Sequence, residues 1–162
     1  MSLVRTGSQH LTTITGLVGV ALLASTAHAQ QAAPAQPIAQ PSSTIVVDVR
    51  AKSARGAVVC RLYGPESERT FPRRAAQPRV SVRVELSSAN ARCVFNGVSP
   101  GPYAVGVYQD ENNNGQLDTG IFGIPVEPMG VSNNVRPVLG PPSFNDARFV
   151  HTGGQRVLEV RL

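Results

Sequence analysis

The residues with the densest chemistry are Asp110-Glu111-Asn112-Asn113-Asn114-Gly115-Gln116-Leu117-Asp118. Asp110, Asn112 and Asn114 stand at spacing two, Gly115 supplies a sharp turn and Asp118 falls at the ninth position, as in an oxygen-ligand calcium loop. Calcium takes about six to eight oxygens, and alternate side chains wrap them round one centre. The candidate metal set is therefore Asp110, Asn112, Asn114 and Asp118, with the backbone carbonyl of Gln116 as a fifth ligand. The twelfth position is Ile121 rather than a bidentate Glu, so this is not an EF-hand; Glu111 or Glu127 would have to supply the missing charge. Affinity would then be weak, in the range of roughly 10⁻⁴ to 10⁻³ M found for extracellular modules. Asn-Gly and Asp-rich turns also close through their own side chains without metal, and both readings stay open.

Cys60 and Cys93 are the only cysteines. Alternation places each on the apolar face of its strand, where they can meet as a disulfide or remain two buried thiols. They form no C-x-x-C redox pair, and with His151 they are too few to hold zinc. A hydrolase would draw on His151 with Ser143 and Asp146, or on Glu127 paired with Asp146 or Asp118. Pro142-Ser143-Phe144 is not a nucleophile elbow, so a non-catalytic module is the preferred reading. Its loops, 110–134 and 140–148, would present Asn133, Asn134, Phe144, Asn145 and Asp146 to a glycan, a peptide or an envelope component, with Tyr108 and Phe122 as a stacking surface.

The elements that position these loops are short strands. Ile45, Val47 and Val49 share one face from Thr44 onward, and Val58, Cys60 and Leu62 share a face of Ala57 to Tyr63. Val80, Val82, Val84 and Leu86 alternate with polar residues, as do Ala91, Cys93 and Phe95. Further strands are expected at Tyr103 to Tyr108, near Val131 to Leu139 and at Arg156 to Leu162, with a Pro-rich loop over 64–79. The pattern predicts an all-β domain, a single antiparallel β-sandwich of about seven strands with long Gly/Pro-rich loops; a small barrel satisfies the same alternation.

The N-terminal stretch reads as a signal peptide over 1–29: Arg5, the apolar run Gly16 to Ala24 and the small-x-small site Ala27-His28-Ala29. Residues 30–43 read as a disordered Pro/Ala/Gln-rich tether, and 44–162 as the domain. The address expected is secreted or periplasmic, with no transmembrane span, since a span needs roughly 20 apolar residues. Net charge falls from +5 to +4 when Arg5 leaves, and the arginines are scattered, which argues against a nucleic-acid partner.

Phe95-Asn96-Gly97-Val98, followed by Pro100-Gly101 and Tyr103, resembles a pattern of prealbumin-like (transthyretin-like) sandwich domains, including the B-type repeats of surface adhesins. The acidic loop and the following Gly123-Ile124-Pro125 are similar to the calcium segment of those repeats, with Asn114 as a departure. Within 103–149 the strings D-x-N-x-N-G-x-L-D, G-I-P-x-E, G-x-S-N-N and P-P-S-F-x-D-A closely resemble a bacterial family known as domain of unknown function 2141. That resemblance implies an exported sandwich domain without an assigned activity. The family favours His before the first Asp, where this chain has Gln109, so histidine-dependent chemistry is not expected there.

Overall fold

The computed structural model describes residues 43–73, 76–136 and 140–162. The stretches expected as a signal peptide and, Ser43 apart, as a tether lie outside the described residues. Ser43 already belongs to the domain: its carbonyl accepts from Val98 N–H at 3.0 Å.

Among the described residues eight strands form, and alternation explains most of them. They are β1 (Thr44–Arg50), β2 (Ala57–Tyr63), β3 (Val80–Glu85), β4 (Asn90–Asn96), β5 (Gly101–Asp110), β6 (Met129–Val131), β7 (Phe149–His151) and β8 (Gln155–Arg161). One sheet runs β4–β1–β8 and the other β3–β2–β5–β6, with β7 also paired to β5. Every pairing is antiparallel except β1 with β8, which is parallel. The domain is a sandwich, all-β as the alternation predicts, with its C-terminal strand tied in beside its first one.

Between the sheets lies the core. Ile45, Val47, Val49, Cys93, Phe95 and Val160 face Val58, Cys60, Leu62, Val105 and Val107, all of them buried. Cys60 on β2 and Cys93 on β4 form a disulfide across this core, so the covalent link joins the two sheets.

A second apolar layer covers the other face of the five-stranded sheet. Tyr63, Ala104 and Val131 lie beneath Phe71, Phe144 and Ala147. Phe71 meets Tyr63 edge-on at 5.1 Å and Phe144 at 5.9 Å between ring centroids, a favoured aromatic geometry. Phe144 opens a four-residue helix, α1 (Phe144–Ala147), started by a capping box in which Ser143 Oγ accepts from Asp146 N–H and the Asp146 carboxylate accepts from Ser143 N–H. Because of this layer β5 is buried on both faces from Tyr103 to Asp110.

The strand expected over 131–139 is corrected: β6 ends at Val131. Ser132 Oγ accepts from Val105 N–H at 3.0 Å and donates to Ala147 C=O at 2.5 Å, taking the place of the next backbone rung. Asn133 and Asn134 then turn the chain at φ of 65° and 51°, which Asn tolerates better than most residues. Residues 137–139 lie outside the described residues.

Candidate functional site

The acidic loop leaves β5 at Asp110, whose side chain is buried. Arg83, two strands away on β3, donates Nη1 to Asp110 Oδ2 at 2.5 Å. Asn114 N–H donates to Oδ1 at 3.0 Å and Gly115 N–H to Oδ2 at 2.8 Å. Burial alone would raise the Asp110 pKa, but Arg83 and these two amides outweigh it and hold the carboxyl below its ordinary value. Arg83 also donates to Glu85 at 2.9 Å and to Asn113 Oδ1 at 2.7 Å. Gly56 packs against the strand end; a Cβ there would sit 2.0 Å from the Asp110 carbonyl oxygen.

The remaining predicted ligands are brought together, but each faces a donor. Asn112 Nδ2 and Asn114 Nδ2 donate to Asp118 at 2.6 and 2.9 Å. Their own carbonyl oxygens accept backbone N–H groups of Asn114 and Gln116, at 3.1 and 2.8 Å. Glu127 clamps the base, accepting from Glu111 N–H at 2.9 Å and Asp118 N–H at 3.0 Å. Arg83 thus lies against Asp110, and the amide groups of Asn112 and Asn114 are both turned to Asp118. Among the described residues no three His, Cys, Asp or Glu side chains form a group able to hold a metal.

Gln109, the residue before that Asp, is fully buried on the opposite face of β5. Its Oε1 accepts from Lys52 N–H at 3.1 Å, and its Nε2 donates to Ser53 Oγ and Arg55 C=O, both at 2.8 Å. It ties the turn after β1 to the sandwich.

Beyond the clamp stands a hairpin. Val126 N–H donates to Asp118 C=O at 3.0 Å, Gly120 N–H to Ile124 C=O at 2.8 Å, and Thr119 bridges Pro125. Its tip is apolar and in solvent: Phe122 is 96% exposed, Ile121 79%, Val126 68% and Ile124 64%. Phe122 adopts φ of 63°, a left-handed conformation that costs a non-glycine residue energy. Between this hairpin, β6 and the chain at Pro72 and Pro141–Pro142 runs a groove of about 910 Å³. Among the described residues, Arg73 and Thr119 are its only polar lining side chains. A large contiguous apolar patch of this kind is uncommon on the surface of a monomer.

The residues expected to meet a ligand sit elsewhere in the hydrogen bonding. Phe144 is buried in the second layer. Asn133 donates to Asp146 C=O and Arg148 C=O, and Asn134 to Glu159 C=O. Asn145 donates to Glu68, and Asp146 serves the α1 cap. Tyr108 is buried with Arg61 over its ring at 4.9 Å, leaving Phe122 as the exposed aromatic of the expected stacking pair.

His151 is buried and pairs through Nε2 with Ser43 Oγ at 2.8 Å, while Ser43 donates to Val98 C=O. No hydrogen bond joins it to Ser143 or Asp146, whose hydroxyl and carboxylate bond each other at 2.6 Å. Its Nδ1 has no partner among the described residues, so no carboxylate orients the ring.

The sequence reading missed Ile121, Ile124, Val126, Pro72 and Arg73. A signal was present in Gly120-Ile121-Phe122-Gly123-Ile124-Pro125-Val126, where apolar residues are interrupted by Gly and Pro and fit neither strand nor helix period.

Fold and site together define a disulfide-bridged β-sandwich with a clamped acidic loop and an exposed apolar hairpin. The chain belongs to the family described as "Uncharacterized protein conserved in bacteria (DUF2141)", whose model matches residues 46–159. No curated protein and no solved structure matches it.

Proposed function

We propose that this protein is an exported, non-catalytic binding domain of the bacterial envelope or its surroundings, whose ligand site is the apolar hairpin at 118–126 with the groove beside it. The observation that carries this reading is the exposure of Ile121, Phe122, Ile124 and Val126 on a hairpin whose base is fixed by Glu127. A mobile loop could bury such side chains on itself. A clamped one keeps them in water at a cost of roughly 25 cal/mol per Å² of apolar surface, relieved when a ligand covers them. The disulfide supports an oxidising compartment, and no helix among the described residues is long and apolar enough to cross a membrane.

Nile red, a neutral apolar dye, tests the reading. Titrated into the folded protein it should gain fluorescence saturably, and the double substitution Phe122→Ser/Ile124→Ser should remove the gain without lowering the melting temperature. A folded protein that leaves the dye dark, or a gain indifferent to these substitutions, would sink the proposal.

A further inference from the structure

We infer that the groove takes a monomeric anionic amphiphile, a single acyl chain lying along the apolar walls with its carboxylate at Arg73. This rests on the binding role proposed above and names the class of ligand.

Shape and lining select the chain. About 910 Å³ lies at the upper end of the range, roughly 300–1,000 Å³, that encloses a small molecule. Four of the lining residues, Pro72, Pro125, Pro141 and Pro142, are prolines and offer no N–H. A peptide laid there would lose water from its carbonyls and find few donors, whereas a hydrocarbon chain asks for none. Phe122 and Met129 add wide, adaptable apolar contact.

Charge selects the head group. Among the described residues Arg73 is the one charged residue lining the groove; it is exposed, and its side chain makes no hydrogen bond or ion pair with them. Arg50, Arg55, Arg79, Arg83, Arg92 and Arg161 are in ion pairs, and of the other arginines among the described residues Arg73 is the one that lines the groove. An unengaged guanidinium at the rim of an apolar groove is a fork for a carboxylate. The positive net charge of the chain adds a weak attraction for the same anion.

Displacement of Nile red from the purified protein by tetradecanoate, dodecanoate and tetradecanol, all below their aggregation concentrations, is the deciding experiment. Tetradecanoate should displace the dye, dodecanoate should bind roughly tenfold more weakly for its two missing methylenes, and Arg73→Gln should weaken tetradecanoate about fivefold while leaving tetradecanol unchanged. Nile red that binds but is not displaced by tetradecanoate would overturn this inference and leave the binding role standing. Equal affinity for both chain lengths, or capture only by phosphatidylglycerol vesicles with none of the monomers, would overturn it as well. Absence of dye binding would bring down both.

Discussion

Asp110 stays charged although buried, because three donors reach its two oxygens. Its depressed pKa makes it a stabilising anion at neutral pH. The contribution is present above the unfolded pKa of about 3.9 and is lost as pH falls through the lower folded value. Denaturant unfolding of the natural protein and of Asp110→Asn should therefore differ by a constant amount near neutrality, and the gap should close below about pH 4. Asp110→Ala, which also strands the Asn114 and Gly115 amides, should cost roughly 2–4 kcal/mol. Arg83 was not legible as the partner, because β3 and β5 are separated by β2, whose Val59 stands opposite Arg83 while Asp110 stands opposite Ala57, so the pair forms diagonally across an intervening strand. Gln109 follows similar logic on the other face. Replacing it with Leu should cost about 2–3 kcal/mol by leaving Lys52 N–H and Arg55 C=O unpaired, whereas Gln109→His keeps one donor and one acceptor and should cost less, as denaturation midpoints would show.

At the scale of elements, the strands were legible where one face meets the core and the other meets solvent. Val80 to Glu85 and Asn90 to Asn96 alternate almost perfectly, and both form as expected. What alternation could not show is the second layer: Phe71 and Phe144 lie in loop-like sequence, yet they cover Tyr63 and Ala104 and turn a half-exposed sheet into a buried one. Nor could it show that Ser132 would end β6 with a side-chain bond. The acidic loop was legible as a loop, while its hydrogen bonding depends on rotamers that spacing does not specify. Calcium would require Asn112 and Asn114 to turn their amide groups away from Asp118 and Arg83 to leave Asp110. Melting curves in millimolar calcium and in chelator should accordingly coincide; a midpoint rising with calcium concentration would show that the loop rearranges round the ion. The hairpin tip makes the opposite exchange, keeping Phe122 at a strained φ in solvent. Phe122→Gly should raise stability by as much as about 1 kcal/mol while weakening dye binding, the signature of a residue held for contact rather than for folding. A loss of stability in that variant would mean that the ring packs on the domain.

For the whole molecule, the question is what holds two sheets of three and five strands together at this size. The core between them is built from Val, Ile and a few larger side chains, without tryptophan. The chain closes on itself through β8, which lies parallel to β1 and whose following residue, Leu162, donates its N–H to Arg50 C=O at 3.0 Å. Ion pairs such as Arg92 with Asp48 and Arg50 with Glu159 sit on the outer surface, where screening leaves them little weight. The disulfide is different in kind, because it connects β2 in one sheet to β4 in the other across a separation of 33 residues. Closing a loop of that length restricts the unfolded chain and stabilises the folded one by about 3–4 kcal/mol in the chain-entropy model. Cys60→Ala/Cys93→Ala should lose roughly that much in denaturant unfolding, and reductant should bring the natural protein to nearly the same midpoint while leaving the double variant unmoved. A difference below about 1 kcal/mol would mean that packing between the sheets suffices. A large one would tie the fold to an oxidising compartment, because the thiol form would have too little margin to persist where thiols are kept reduced.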